Sequence, residues 1–168
     1  MTLTIRPETE RDRDSIFRVN HLAFRRDDEA RLVDALRAGG FVRLSLVART
    51  DAQIVGHILF SELAIEGRDG IISALALAPL AVIPDFQRQG IGSELVRRGL
   101  DLCREQNHRI VLVVGHPRFY ARFGFLSGLA RRLCSPYAGE SFMALELVEG
   151  ALRGVTGAVR YPPAFADF

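Results

Sequence analysis

The stretch Ile71–Pro84 constrains the fold of this chain most, because it contains no charged side chain over 14 residues. Such a stretch is typical of a strand that is covered on both faces in the middle of a sheet. A helical pattern begins at Ile91, and a second all-apolar segment, Ile110–Val114, follows that helix. Two buried strands joined by a helix predict a right-handed crossover between parallel neighbours. The 14 residues are too few for a membrane span, which needs about 20.

Pro79 lies inside this predicted strand and Pro84 ends it. Because proline cannot donate a ladder hydrogen bond, we expect a bulge or a local splay of the strand near Pro79. Irregular backbone in a central strand leaves amide and carbonyl groups that can hydrogen-bond an extended ligand.

The remaining periodicity predicts a mixed α/β architecture. The chain of 168 residues has the length of one domain, so we expect residues 1–168 to form a single domain with a central twisted, partly parallel sheet flanked by helices. The other predicted elements are a strand at Leu3–Ile5, a helix capped by Thr9 that ends near Phe24, a charged loop Arg25–Glu29, a helix from Ala30 to Leu36, a hairpin that turns at Asp51-Ala52, a short aromatic helix Arg118–Phe123, and strands Phe142–Leu147 and Ala158–Tyr161.

Charge and cysteine content exclude several classes of protein. The 22 basic and 20 acidic side chains are interleaved, so no block of one sign favours nucleic acid as a partner. All the basic residues are arginine, which removes any mechanism that needs a lysine Schiff base or a P-loop lysine. We expect Cys103 and Cys134 to be free thiols. The N-terminus shows no signal-peptide pattern, and we expect a cytoplasmic protein.

The most informative segment is Gln87-Arg88-Gln89-Gly90-Ile91-Gly92-Ser93, between the buried strand and the first turn of a helix. The first amides of a helix have no partner inside it, and about half a positive charge accumulates there. Two glycines let the backbone approach a bulky anion such as a pyrophosphate. The dinucleotide fingerprint is excluded, since its third glycine would stand where Leu95 is. The alternative is a structural module in which these glycines only cap the helix.

Two motifs identify a family. Leu80-Ala81-Val82-Ile83 followed by Gln87-x-x-Gly90-x-Gly92 resembles the acetyl-coenzyme A signature of the GNAT N-acetyltransferases. The segment His116–Phe125 resembles the second motif of that family, an aromatic helix that ends in Gly-Phe. The order of elements also matches, so the likeness covers nearly the whole chain and points to the YhbS-like subgroup.

The resemblance implies a GNAT-like acyltransferase fold with splayed parallel strands, acetyl-CoA as cosubstrate and no metal. Tyr120 would protonate the departing thiolate, and a backbone N–H near Val82 would polarise the thioester carbonyl. Alternatively, Tyr120 only packs under Phe123 and Phe125. The implied cofactor-binding residues are Leu80, Ala81, Val82, Gln87, Arg88, Gln89, Gly90, Ile91, Gly92 and Ser93.

The general base of this chain must differ from the one that some family members use. Those members carry a glutamate on the central strand, and Gly70–Pro84 contains none. His57, Glu62 and His116 are candidates, with water as a relay. Alternatively, a lone histidine on a strand is a structural residue with its hydrogen bonds satisfied. An acceptor of modest pKa could also bind already neutral. In this family the loop that corresponds to residues 24–29 commonly faces the acceptor. Its acidic end either attracts a cationic amine or complements the helix dipole.

We therefore expect an N-acetyltransferase that moves an acetyl group to a primary amine of a small molecule or peptide. Transfer is expected to be direct, in a ternary complex, because the chain has no lysine and neither cysteine lies in a nucleophile motif. The alternative is a non-catalytic acyl-CoA sensor. The aromatic, proline-containing stretch Tyr161–Phe168 packs on its own sheet or on a second subunit of a homodimer.

Overall fold

The computed structural model describes residues 2–168, and within them it has eight strands and five α-helices. The strands are β1 (Thr4–Pro7), β2 (Val42–Arg49), β3 (Ile54–Gly67), β4 (Gly70–Val82), β5 (Ile110–Val114), β6 (Leu133–Cys134), β7 (Phe142–Glu146) and β8 (Gly157–Arg160). The helices are α1 (Arg13–Phe24), α2 (Asp28–Ala38), α3 (Ile91–Glu105), α4 (Pro117–Ala121) and α5 (Ser127–Ala130), with 3-10 turns at Glu10–Asp12, Pro84–Phe86 and Pro163–Asp167. No helix in this range is both long and apolar enough to cross a membrane.

The chain divides into two compact units, and β3, β4 and α3 each contribute residues to both. The first unit comprises the residues up to Ser61 together with Ala78–Gly99 and Ala164–Phe168. The second comprises Glu62–Leu77 and Leu100–Pro163.

In the first unit β1, β2, β3 and β4 are neighbours in that order. The predicted hairpin is confirmed: β2 and β3 pair antiparallel, and the N–H of Thr50 closes the turn on the carbonyl of Gln53 at 2.9 Å. The first turn of α3 packs against β3, since a Cβ added to Gly56 would lie 3.0 Å from Leu95. Helix α2 begins at Asp28, earlier than predicted, because two acidic residues in its first turn complement the helix dipole.

In the second unit β5 lies between β4 and β7. The predicted parallel pairing is confirmed by the registers Leu75↔Val111 and Ala76↔Leu112. Strand β7 pairs antiparallel with β5 over five residue pairs, and β8 pairs antiparallel with β3 and parallel with β6. The sheet is therefore mixed, as predicted, with antiparallel pairs in the majority.

Strand β4 continues through Pro79, which follows a cis peptide bond, and ends at Val82, shortly before Pro84, as predicted. Its parallel pairing with β5 covers only Leu75 and Ala76 and stops before Pro79, which agrees with the predicted local splay. The sequence predicted no element between the aromatic helix and Phe142, whereas the structure has α5 and β6 there. These two elements are four and two residues long, too short for a hydrophobic period to reveal them.

Candidate functional site

The loop between β4 and α3 has an unusual backbone. After the 3-10 turn, residues 87–90 are exposed, and α3 begins at Ile91. Arg88 and Gly90 both adopt left-handed conformations, with φ of 62° and 84°. Alternation of left-handed and right-handed residues points successive N–H groups into one concavity, which is a common anion site.

The donors in this concavity are available. Among the described residues, the N–H groups of residues 88 to 92 donate no hydrogen bond to another protein group. The first backbone bond of the helix runs from the N–H of Glu94 to the carbonyl of Gly90 at 3.0 Å. The partial positive charge of the α3 N-terminus therefore faces solvent without a protein acceptor.

Two glutamine side chains brace the loop. The Nε2 of Gln87 donates to the carbonyl of Val82 at 2.8 Å, and the Nε2 of Gln89 donates to the carbonyl of Asp85 at 3.2 Å. The predicted site residue Gln87 thus holds the loop against the end of β4, and Gln89 holds it against the 3-10 turn. Neither contact could have been found from the sequence, because both depend on how the loop folds back.

The end of β4 presents alternate residues to alternate faces. Leu80 and Val82 are half-buried, whereas Ala81 and Ile83 are buried. The N–H of Ile83 donates to the carbonyl of Val55 on β3 at 2.9 Å, which holds this end of β4 in the sheet. The first unit therefore brings all ten predicted cofactor-binding residues onto one strand end, one loop and one helix start.

Tyr120 lies on α4 in the second unit, where its ring is 8% exposed. The ring makes edge contacts with Phe119 and Phe125, at centroid distances of 4.9 and 5.6 Å. It also lies against Gly115, since a Cβ there would collide with it. Burial raises the pKa of Tyr120 to about 12, so the phenol keeps its proton at neutral pH.

Comparison with known proteins identifies the family. A sequence model described as "Acetyltransferase (GNAT) domain" matches residues 4–127. The N-acetyltransferase YhbS of Escherichia coli K12 is 36% identical over 169 residues, which cover 99% of this chain and 100% of YhbS. The chain belongs to the GNAT acetyltransferase family.

Solved structures of GNAT proteins have the same fold. The crystal structure of E. coli YhbS in complex with CoA matches with a TM-score of 0.90, covering 97% of this chain and 91% of that one. A GNAT family acetyltransferase from Brucella melitensis in complex with acetyl-CoA is 33% identical and matches with a TM-score of 0.82 over 98% of both chains. The predicted GNAT fold and acetyltransferase class are confirmed.

His57, a candidate base in this GNAT chain, is a buried structural residue. Asn20 Nδ2 donates to the carbonyl of Ile16 at 3.0 Å and contacts His57 Nδ1 at 3.1 Å, so Nδ1 accepts. The Nε2–H of His57 then donates to Ser45 Oγ at 2.9 Å. Burial lowers the pKa of His57 to about 3. A ring with both nitrogens engaged and so low a pKa cannot take a proton near neutral pH.

The other two base candidates are exposed. Glu62 lies on β3, and His116 immediately precedes α4. The carbonyl of His116 accepts the N–H groups of Phe119 and Tyr120, at 3.1 Å each. His116 is therefore fixed to the same helix that carries Tyr120, and it becomes the first candidate to test.

The acidic end of the loop predicted to face the acceptor is neutralised by its own neighbours. Glu29 is 4% exposed and binds the Arg26 guanidinium through both oxygens, at 2.9 and 2.6 Å. Asp27 contacts His21 Nδ1 at 2.6 Å and lies 3.7 Å from Arg31. These pairs support the dipole-complementing alternative for this segment over attraction of a cationic amine.

The two cysteines are free, as predicted. Cys103 is buried, and burial raises its pKa to about 12. A thiol with this pKa has almost no thiolate at neutral pH, so it is a poor nucleophile. Cys134 is exposed, at the end of the two-residue strand β6.

Proposed function

We propose that this GNAT chain is an acetyl-CoA-dependent N-acetyltransferase that passes an acetyl group directly to a primary amine of a small molecule or peptide. We further propose that residues 1–168 act as one acetyltransferase domain. The observation that carries the proposal is the set of N–H groups of residues 88 to 92, which have no protein acceptor and lie in the exposed loop and at the first residues of α3. The CoA and acetyl-CoA complexes of its relatives support the same ligand.

The diphosphate of the cosubstrate would lie in the concavity formed by Arg88 and Gly90. A hydrogen bond to a charged group contributes about 1.5 to 3 kcal/mol, so a few of these N–H groups supply most of the affinity of a micromolar ligand. Gln87 and Gln89 would act by holding the loop in its binding conformation, because their amide nitrogens are engaged with backbone carbonyls. Preorganisation of this kind reduces the entropy lost on binding.

The pantetheine arm would lie along Leu80–Val82 and pair with the backbone as an added strand does. The half-buried Leu80 and Val82 alternate with the buried Ala81, which is the pattern of a strand with one face available. A backbone N–H near Val82 would hydrogen-bond the thioester carbonyl. That contact would gain strength as the oxygen becomes an oxyanion.

Acetyl transfer needs a neutral amine, whose nitrogen attacks the thioester carbonyl carbon and forms the C–N bond. The tetrahedral intermediate then collapses, the C–S bond breaks, and the nitrogen loses a proton. His116, Glu62 or a water molecule would accept that proton. The sulfur leaves as a thiolate and must be stabilised until it gains a proton.

The family resemblance assigns that stabilisation to Tyr120. A phenol with a pKa of about 12 carries its proton at neutral pH and can donate it in a hydrogen bond to the departing sulfur. Complete transfer to a thiolate of pKa about 8.5 would be uphill by roughly 5 kcal/mol. We therefore propose that Tyr120 donates a hydrogen bond and that the proton released by the amine finally neutralises the sulfur.

A thiol-release assay with acetyl-CoA and a panel of amines, peptides and aminated antibiotics tests the proposal. Release of free CoA that depends on the amine, with formation of the acetylated product by mass spectrometry, is the expected result. Binding of acetyl-CoA without any amine-dependent release across the panel would instead favour the acyl-CoA sensor. Absence of acetyl-CoA binding in a calorimetric titration would contradict both functions. It would leave the structural module, in which the glycines only cap the helix.

A further inference from the structure

A second positively charged site lies in the first unit, at the end of the sheet that contains β1. A cavity of about 330 Å³ is lined by four arginines, Arg6, Arg11, Arg18 and Arg49, and by one acidic residue, Asp12. It shares no lining residue with the loop at 87–93. The reaction proposed above makes no use of it.

The single carboxylate in this cavity is already paired with an arginine. Asp12 accepts two bonds from the Arg6 guanidinium, at 2.7 and 3.0 Å, and two from Thr9, from its backbone N–H at 2.7 Å and its hydroxyl at 3.2 Å. Three of these bonds fall on Oδ2 and one on Oδ1. The Arg6 guanidinium is the largest cause that lowers the pKa of Asp12 to about 2. The charge of Asp12 is therefore balanced by Arg6, the arginine with which it forms its ion pair.

The other three guanidinium groups have no acidic partner. Arg11, Arg18 and Arg49 are exposed, and none of the ion pairs or side-chain hydrogen bonds within residues 2–168 involves them. The neighbouring acids Glu10, Asp14 and Asp51 do not line the cavity. The cavity thus has a formal surplus of three positive charges.

The backbone brings these arginines to one place. Arg18 lies three residues after Ser15 on one face of α1, and Arg11 is in the 3-10 turn that precedes this helix. Arg49 ends β2 at a register shift, where Ala48 pairs with Gly56 but Arg49 pairs with Ile54. A bulge of this kind re-aims a side chain, here toward the cavity.

A cavity in the second unit provides a contrast. It contains about 630 Å³ and is also lined by three arginines, Arg131, Arg132 and Arg153. Glu146 and Glu149 offset most of that charge. The surplus at Arg11, Arg18 and Arg49 is therefore a property of one cavity and does not follow from the arginine content of the chain alone.

We propose that the cavity lined by Arg11, Arg18 and Arg49 binds a small polyanion with two or more phosphate or carboxylate groups. A planar guanidinium fork matches either group with two parallel hydrogen bonds. The Ser15 hydroxyl and the Gln53 amide, which also line the cavity, supply further polar contacts. Its volume lies at the lower end of the range of small-molecule pockets, about 300 to 1000 Å³, which suits a compact ligand.

Calorimetric titration of the full chain with inorganic pyrophosphate, and separately with citrate, at about 50 mM salt tests this site. Pyrophosphate should bind in this cavity in addition to any binding at the loop of residues 87–93, and the two contributions are separated because Arg18→Gln weakens only the first and Gly90→Ala only the second. The tighter of the two probes at the cavity shows whether phosphate or carboxylate is preferred. Arg18→Gln and Arg49→Gln should each weaken binding by roughly tenfold or more. Arg13→Gln is the matched control, since Arg13 is exposed on the same helix and does not line the cavity. It should change the Kd less than about threefold, which is the effect of net charge alone.

Three results would overturn the proposal. The first is no binding of either probe by the unmodified chain, and the second is equal weakening of binding by Arg13→Gln and Arg18→Gln. The third is a loss of pyrophosphate binding in Gly90→Ala while Arg18→Gln binds pyrophosphate as the unmodified chain does. The last result would place the anion at the α3 loop. Arg18 is exposed on a helix surface, so Arg18→Gln should fold even if Arg49→Gln, at a register shift, does not. Acetyl-CoA binding is titrated separately and should be unchanged in Arg18→Gln, which separates this proposal from the proposed function.

Discussion

Replacement of Gly90 by alanine should weaken acetyl-CoA binding through the backbone alone. Gly90 has φ of 84°, and a Cβ built on it meets no heavy atom within 4 Å, so alanine creates no collision. An L-residue in the left-handed region costs about 1 to 2 kcal/mol. The free loop can avoid this strain by relaxing, but it must return to the left-handed conformation to present its N–H groups. The Kd for acetyl-CoA should therefore rise about 5- to 30-fold.

Gly40 provides a control for strain. It has φ of 76°, and a Cβ there also meets nothing within 4 Å. Gly40→Ala introduces the same strain in the turn after α2, so its midpoint of thermal unfolding should fall by a few degrees, about 2 to 4 °C per kcal/mol. Its Kd for acetyl-CoA should stay within about twofold of the unmodified protein.

Isothermal titration of acetyl-CoA into the three proteins, with thermal unfolding beside it, makes the comparison. An unchanged Kd in Gly90→Ala would refute the reasoning, because the loop would then bind without its left-handed conformation or would not bind the diphosphate. Equal weakening in Gly40→Ala would also refute it, since the effect would then be a general loss of stability.

Three further changes test other parts of the account. Tyr120→Phe should lower kcat by about 100-fold or more while the Kd for acetyl-CoA stays within twofold, and equal turnover would exclude the Tyr120 hydroxyl from the reaction. The pKa of His57 is lowered to about 3 in the folded chain, from 6.5. The neutral ring therefore makes its full contribution to the free energy of unfolding above pH 6.5, and this contribution is lost as the pH falls below that value, because the unfolded chain then binds a proton that the folded chain does not. Urea unfolding at pH 7.5 and 5 should show roughly 2 kcal/mol of this loss, and His57→Gln should remove that part of the pH dependence; an identical pH dependence in the variant would contradict the assignment. Alanine at both Cys103 and Cys134 should leave turnover per folded molecule intact, and its complete loss would contradict direct transfer.

The elements around the loop could be predicted because each is long and has a clear pattern. The uncharged stretch from Ile71 predicted β4, and the helical periodicity from Ile91 predicted α3. The all-apolar segment Ile110–Val114 predicted β5, the parallel neighbour of β4. In contrast, α5 and β6 span only about one hydrophobic period each, so no repeat marked them in the sequence. Their assignment depends on tertiary pairing, which a single sequence does not display.

The candidate site was predictable in its position and less so in its detail. The Gly90-x-Gly92 spacing located the exposed N–H groups, but the left-handed Arg88 was unexpected, because arginine rarely takes that conformation. The role of His57 depends on Asn20 and Ser45, which lie 37 and 12 residues away in the sequence. No local pattern carries such information, so a buried structural histidine remained among the candidate bases.

A crystal structure with acetyl-CoA measures the central claim most directly. The account predicts diphosphate oxygens within about 2.7 to 3.2 Å of main-chain nitrogens of residues 88 to 92. Diphosphate bound elsewhere, with those N–H groups donating to protein acceptors, would contradict it.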